Sequence, residues 1–268
     1  MSRAPPRKKA PPCLPRAPES DRRELIALPI FIFDGESIIS IAANLERIHA
    51  RMGDAAARAG RRGGEITLVA VSKTFLAGAI REAYAAGLRH FGENRIQEWE
   101  AKRAALAGLD ATMHFIGHLQ SNKARRAAHL FDRIDSVDSL GLAQKLHAAA
   151  AEEGKRLPIL MEVRLGDEAT KSGVHEKDAL PLAEAVAALE HLELFGLMTI
   201  PPYFDETEQV RPYFRRLREL REAISHAFGS PLPVLSMGMS HDFEVAIEEG
   251  ATEIRVGSAL FGGRAADD

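Results

Sequence analysis

The chain has 268 residues, 46% of them hydrophobic, enough to bury one large core or two smaller ones. Residues 1–23 carry seven Lys/Arg and two Asp/Glu, an excess of five positive charges, so the net charge of −3 leaves −8 on the remainder, and a mildly acidic body argues against a nucleic-acid partner. One cysteine, Cys13, excludes an internal disulfide and a cysteine-based metal site, which suits a reducing, cytoplasmic setting.

The opening MSRAPPRKKAPPCLPRAPES is basic and proline-rich, and a disordered extension is expected over residues 1–35. LIALPIFIF at 25–33 falls short of the roughly 20 apolar residues a membrane span needs. It also holds a proline and leads into DGES rather than small residues suited to signal cleavage, so no membrane partner is expected. A folded body over 36–268 opens with a helix, because Ile38, Ile41, Leu45, Ile48 and Met52 form one apolar stripe.

From residue 64 onward, β-branched or apolar runs alternate with helical patterns, the signature of parallel βαβ units. Eight strands are predicted, at 65–72, 88–92, 113–117, 133–137, 158–165, 192–200, 233–238 and 253–257. Between them, AGAIREAYAAG (77–87) spaces Ile80, Tyr84 and Leu88 about one turn apart, and SLGLAQKLHAAAAEEG (139–154) starts on a candidate N-cap serine and stops on glycine. Eight such units predict a closed (β/α)8 barrel in a single domain. An open doubly wound sheet is the alternative, but the first strand-to-helix turn, SKTFLAG, lacks a G-x-G-x-x-G fingerprint. Little follows the eighth strand, so the opening helix is expected to cover that flank.

Chemistry in such a barrel belongs at the carboxyl ends of the strands. Alternation puts Lys73 on the same face as Val69 and Val71, aimed at the barrel mouth. An amine desolvated in an apolar mouth exposes the neutral nucleophile that condenses with an aldehyde; the competing reading is a lysine that snorkels to solvent. The last two strands run into SMGMSHDFEVAIEEG, with Ser240 a candidate N-cap, and RVGSALFGG, with glycines that open the backbone. Helix N-termini and glycine turns there favour phosphate. An imine-forming lysine opposite a phosphate seat suggests a phosphorylated aldehyde, of which pyridoxal phosphate is the commonest protein-bound case. Arg255, two residues before Gly257 on the same face, can meet a ring nitrogen and, donating only, would leave it unprotonated. The competing reading is an ion pair of Arg255 with Glu253 or Glu249.

AVSKT, FGENRIQE, HFIGHLQSNK, KSG, GLMTI, LSMGMSHDFEVAI and IRVGSALFG follow one another in order, and the chain over about 38–264 closely resembles the pyridoxal phosphate homeostasis proteins. The resemblance implies a single-domain barrel of the alanine racemase N-terminal type, with the cofactor pyridoxal 5'-phosphate held covalently by Lys73. It implies further that Ser240, Gly257 and Ser258 hold the phosphate, Arg255 faces the ring nitrogen, and Asn94, Met198 and Ser236 line the surroundings. His118, Asn122, Lys123, Lys171 and Ser172 receive only an unspecific rim role. Ser258 stands where threonine is usual in the family, keeping the hydroxyl.

The implied function is carriage and buffering of the cofactor, with effects on amino-acid and keto-acid metabolism, no strong catalysis, no metal, and pyridoxal-phosphate-dependent apo-enzymes as partners of a monomer or weak dimer. The racemases related by this resemblance add a tyrosine from a separate β domain, whereas this chain ends 11 residues after Gly257. One base without an opposite partner racemises poorly. The alternatives are a weak amino-acid racemase and, less well matched, a phosphosugar aldolase, which by resemblance would carry its lysine on a later strand.

Overall fold

The computed structural model describes residues 40–166 and 172–262. The expected extension, Cys13, Ile38 and Lys171 lie outside the described residues. Eight parallel strands alternate with helices and close into a barrel: β1 (Thr67–Val71), β2 (His90–Glu93), β3 (Thr112–Phe115), β4 (Arg133–Val137), β5 (Leu157–Arg164), then, after a two-residue outer strand β6 (Val174–His175), β7 (Leu192–Met198), β8 (Val234–Ser236) and β9 (Glu253–Val256). Neighbours run β4-β3-β2-β1-β9-β8-β7-β5, and β4 pairs with β5 to close the ring. All eight predicted barrel strands are present; β6, which pairs with β5 through Val163 and Val174, was not anticipated.

The helices are α1 (Ile41–Arg58), α2 (Ala77–Ala85), α3 (Ile96–Arg103), α4 (Ala124–Leu130), α5 (Leu140–Glu152), α6 (Glu176–Ala187), α7 (Arg211–Phe228), α8 (Phe243–Glu248) and α9 (Ser258–Phe261). Alternation along β1 sends Leu68 and Ala70 outward into one continuous apolar layer with Ile80, Phe91 and the buried helix faces. On α7, Phe214, Leu217 and Ile224 recur at helical spacing and are wholly buried, and Gly229, at φ 63°, ends the helix in the left-handed region. Truncating Phe214 to Ala would cost roughly 3–5 kcal/mol in transfer and cavity terms.

Helix α1 starts where the Ser40 hydroxyl accepts from the Ala43 N–H at 3.2 Å. Its buried face includes Leu45, Ile48 and Met52. It covers the flank of β9 as expected: Asn44 donates to the Leu260 carbonyl at 2.8 Å, and Arg51 and Arg58 reach Glu244 and Glu248 on α8, both at 2.6 Å. Gly238, at φ +93°, turns the chain out of β8. A Cβ there would lie 2.6 Å from that of Ala246 and 2.9 Å from the Phe243 Cα, so a side chain would push α8 off the barrel.

The amino-terminal half of the barrel interior is ionic. Arg133 donates to both Asp135 oxygens, at 2.6 and 2.9 Å, and to Glu253 at 2.5 Å. His114 meets Asp135 at 3.2 Å and His90 at 3.0 Å. Burial alone would raise Asp135, but Arg133 and His114 hold its carboxyl well below the usual range. His114, Asp135 and Glu253 bring metal-ligand atoms within 4.8 Å of one another, yet the Arg133 guanidinium already bridges the two carboxylates.

Candidate ligand site at the carboxyl ends of the strands

Past Val71 the chain leaves β1 in a tight turn carrying Lys73. Val71 packs against Gly257, where an added Cβ would lie 3.4 Å from its own Cβ, and Lys73 follows on the same side. The turn is fixed from three directions. Lys102 donates to the Ser72 carbonyl at 2.9 Å and to Glu93 at 2.7 Å, and the Ser72 hydroxyl donates to the same Glu93 oxygen at 2.7 Å. The Thr74 N–H donates to Glu98 at 2.9 Å, and Phe75, whose N–H bonds the Ser72 carbonyl, sets its ring 4.8 Å from that of Phe261. Thr74 takes φ 69°, unusual for a β-branched residue, and such backbone persists only where its surroundings over-determine it. Desolvation raises the Glu93 carboxyl, opposed by Lys102 and Ser72.

On the adjacent strand β9, Arg255 pairs in register with Val69 and therefore points inward. It is 4% exposed and donates to the Ser236 hydroxyl at 2.7 Å and the Thr199 carbonyl at 2.8 Å. Burial pushes its guanidinium below the ordinary value, opposed by the fields of Glu253, Asp135, Glu162 and Asp242. Neither competing ion pair forms: Glu253 pairs with Arg133, and Glu249 with Arg211, Arg215 and Arg218. Beyond Arg255, the Ser240 hydroxyl lies 3.4 Å from the N–H groups of Gly257 and Ala259, long contacts that leave these donors weakly used.

Lys73, Asn94, Ser240, Arg255, Gly257 and Ser258 all line one cavity of about 490 Å3. Three expectations need correction. Lys73 is exposed rather than walled in by apolar side chains, because the β1 turn lifts it above the Val71 layer. Ser240 does not cap α8; Asp242 stands before Phe243 and accepts from the Met239 N–H at 2.6 Å, which frees Ser240 for the Gly257 turn. Met198 and Ser236 are wholly buried and do not line the cavity, since β7 and β8 end lower than the β9 turn; Ser236 acts instead on Arg255.

The structure adds Phe75, Tyr203 and His241 to the lining, the last two stacked with ring centroids 5.3 Å apart. His241 lies within the LSMGMSHDFEVAI motif and Phe75 within the SKTFLAG turn, but neither was singled out as lining, and no motif covers Tyr203. Glu162, inward on β5 beside Met198 and Ser236, is raised to about 7 by burial and by Asp138, against the pull of Arg255. Of the rim residues, His118 is exposed and meets Ser172 at 3.0 Å, Asn122 is exposed, and Lys123 is half-buried.

An amine, a buried guanidinium and a turn of spare backbone donors converge on a cavity whose size lies within the roughly 300–1,000 Å3 of small-molecule sites. The class is a parallel (β/α)8 barrel with this cavity at the carboxyl ends of its strands, and the alanine racemase N-terminal domain family matches residues 40–265. The chain belongs to the pyridoxal phosphate homeostasis protein family. It is 47% identical over 225 residues to the pyridoxal phosphate homeostasis protein of Pseudomonas aeruginosa, covering 84% of this chain and 96% of that one. To its counterpart from Aquifex aeolicus it is 46% identical over 220 residues, covering 82% and 96%. The solved structure of PipY from Synechococcus elongatus with PLP bound matches with a TM-score of 0.75 at 40% identity, covering 83% of this chain and all of that one. Among the described residues no helix is long and apolar enough to cross a membrane.

Proposed function

We propose that this protein binds pyridoxal 5'-phosphate covalently through Lys73 and carries or buffers it in the cytoplasm for pyridoxal-phosphate-dependent apo-enzymes, without strong catalysis of its own. The observation that carries the reading is the convergence of Lys73, Arg255 and the Ser240–Gly257–Ser258 donors on one cavity. The PLP named in the PipY structure supports it.

When bound, the cofactor supplies an aldehyde for amines and, with its ring nitrogen protonated, an electron sink. Lys73 is the amine that holds it. The N–H groups of Gly257, Ser258 and Ala259 and the hydroxyls of Ser240 and Ser258 take the phosphate. Arg255, locked by Ser236 and Thr199, presents donors only and so keeps a proton off the ring nitrogen. That favours retention over turnover.

Purified protein should be yellow, and borohydride should fix the cofactor to the peptide holding Lys73, with Lys73→Ala abolishing the label. A colourless protein that gains no reducible label would falsify the reading. A second reading, weak racemisation, rests on Tyr203 and His241, whose stacked rings line the same cavity as Lys73. Steady conversion of one alanine enantiomer to the other, abolished in Tyr203→Phe, would favour it.

A further inference from the structure

Beside the first cavity lies a second, of about 350 Å3, and the two share Asn94 and Gly117 as a common wall. The wall is thin: a Cβ on Gly117 would collide with the Asn94 carbonyl, so only glycine allows this approach. Every lining residue of the second cavity comes from two segments, FGENRIQE (91–98) and HFIGHLQSNK (114–123), whose polar residues the cofactor reading leaves largely unused.

The permanent charges in this cavity have one sign. Arg95 and Lys123 line it together with the His118 imidazole, and among the described residues no carboxylate does. Lys123 is half-buried, and its ammonium has no counter-ion or hydrogen-bond partner among the described residues. Arg95 is exposed and makes a long ion pair with Glu98 Oε1 at 3.9 Å, while the Thr74 N–H takes the other oxygen of Glu98 at 2.9 Å. His118 has Asp138 at 3.8 Å and Ser172 at 3.0 Å. Helix α3 begins in the same wall with no side chain capping its first turn, which adds the positive end of its dipole. An ammonium drawn out of water without a partner is costly, and a bound anion relieves that cost with charge-assisted hydrogen bonds.

We infer that this cavity is a second anion subsite, taking the phosphate or carboxylate group of a small metabolite through Lys123, Arg95 and His118, one backbone thickness from the cofactor cavity. Its size, near the lower end of small-molecule sites, suits a metabolite rather than a polymer. The subsite does not depend on whether Lys73 carries the cofactor.

Equilibrium dialysis of the cofactor-loaded protein against labelled inorganic phosphate at low ionic strength tests it. One further phosphate per chain should bind saturably. Lys123→Gln and Arg95→Gln should each weaken it about tenfold, with Lys123→Arg retaining it and the visible spectrum of the bound cofactor unchanged. Succinate that displaces the label more strongly than phosphate itself would identify a carboxylate ligand; weaker displacement identifies a phosphate ligand. Absence of saturable phosphate beyond the cofactor's own, or binding indifferent to both glutamine variants, overturns the subsite. If the protein takes no cofactor, the same dialysis on the bare chain separates the two ideas, because Ser240→Ala should remove one phosphate and Lys123→Gln the other. Loss of both in Ser240→Ala alone overturns the second site.

Discussion

Two buried arginines occupy the barrel interior at different heights and are held in opposite ways. Arg133, at the amino-terminal end, is bonded to two carboxylates and forms a closed ionic cluster. Arg255, under the mouth, is bonded to a hydroxyl and a carbonyl, and among the described residues no carboxylate forms an ion pair with it. The first arrangement spends its charge inside the fold; the second keeps charge available to a ligand. The same residue type is therefore structural at one end and a ligand donor at the other, and its partners decide which.

Substitution should expose that difference most strongly at Arg133. Arg133→Met leaves Asp135 and Glu253 buried without their cation, and breaking such a cluster costs roughly 3–5 kcal/mol. Arg255→Met leaves only neutral oxygens unpaired, at about 1–2 kcal/mol. Denaturant midpoints measure both, and equal losses would erase the distinction. The spectrum of bound cofactor should respond in reverse, shifting in Arg255→Met and not in a folded Arg133 variant.

Much of this contrast was within reach of the sequence at the mouth and out of reach below it. Lys73 and Arg255 could be placed because a strand has period two and each residue stands a fixed step from a marker, Val71 or Gly257. The ionic cluster has no such marker: His90, His114, Arg133 and Glu253 come from four strands and meet only when the ring closes. Met198 and Ser236 were misplaced for a related reason. Alternation gives the facing of a residue but not its height, and height depends on the stagger between β7, β8 and β9. Ser240 and Asp242 are both capping residue types two positions apart, so packing alone decided between them. Lys102, which secures the Lys73 turn, lies one helical turn beyond Glu98, the last residue of the FGENRIQE motif, so no motif marks it.

Protonation offers a second, smaller way to sharpen the comparison. Glu162 lies on the inward face near Arg255 and Asp138, with a carboxyl raised from 4.5 to about 7. The folded protein then holds a proton that the unfolded chain releases at lower pH. Its contribution to stability is present near pH 5 and is lost as pH rises through about 7. Glu162→Gln removes that loss, so the variant should gain on the wild type by up to roughly 3 kcal/mol at pH 8 and little at pH 5. Thermal unfolding at the two pH values checks the sign; a variant that gains equally at both would show that Glu162 does not titrate in this range.

The smallest effect on stability should carry the largest effect on the site. Glu98→Ala removes the acceptor of the Thr74 N–H, a single charge-assisted bond on an exposed turn, and about 1 kcal/mol of stability is at stake. That bond is also one of the few forces holding Thr74 at φ 69°, and relaxation of Thr74 toward ordinary angles would swing Lys73 away from Arg255 and Gly257. The variant should therefore take up pyridoxal phosphate several-fold more slowly and retain it less well, while melting within a few degrees of the wild type. Arg133→Met predicts the opposite pairing, a large loss of stability and an unaltered cofactor spectrum in whatever fraction remains folded. If Glu98→Ala instead captured the cofactor at the wild-type rate, the clamp on the lysine turn would be a surface contact and the strain at Thr74 would have to be maintained by Lys102 and Phe75 alone.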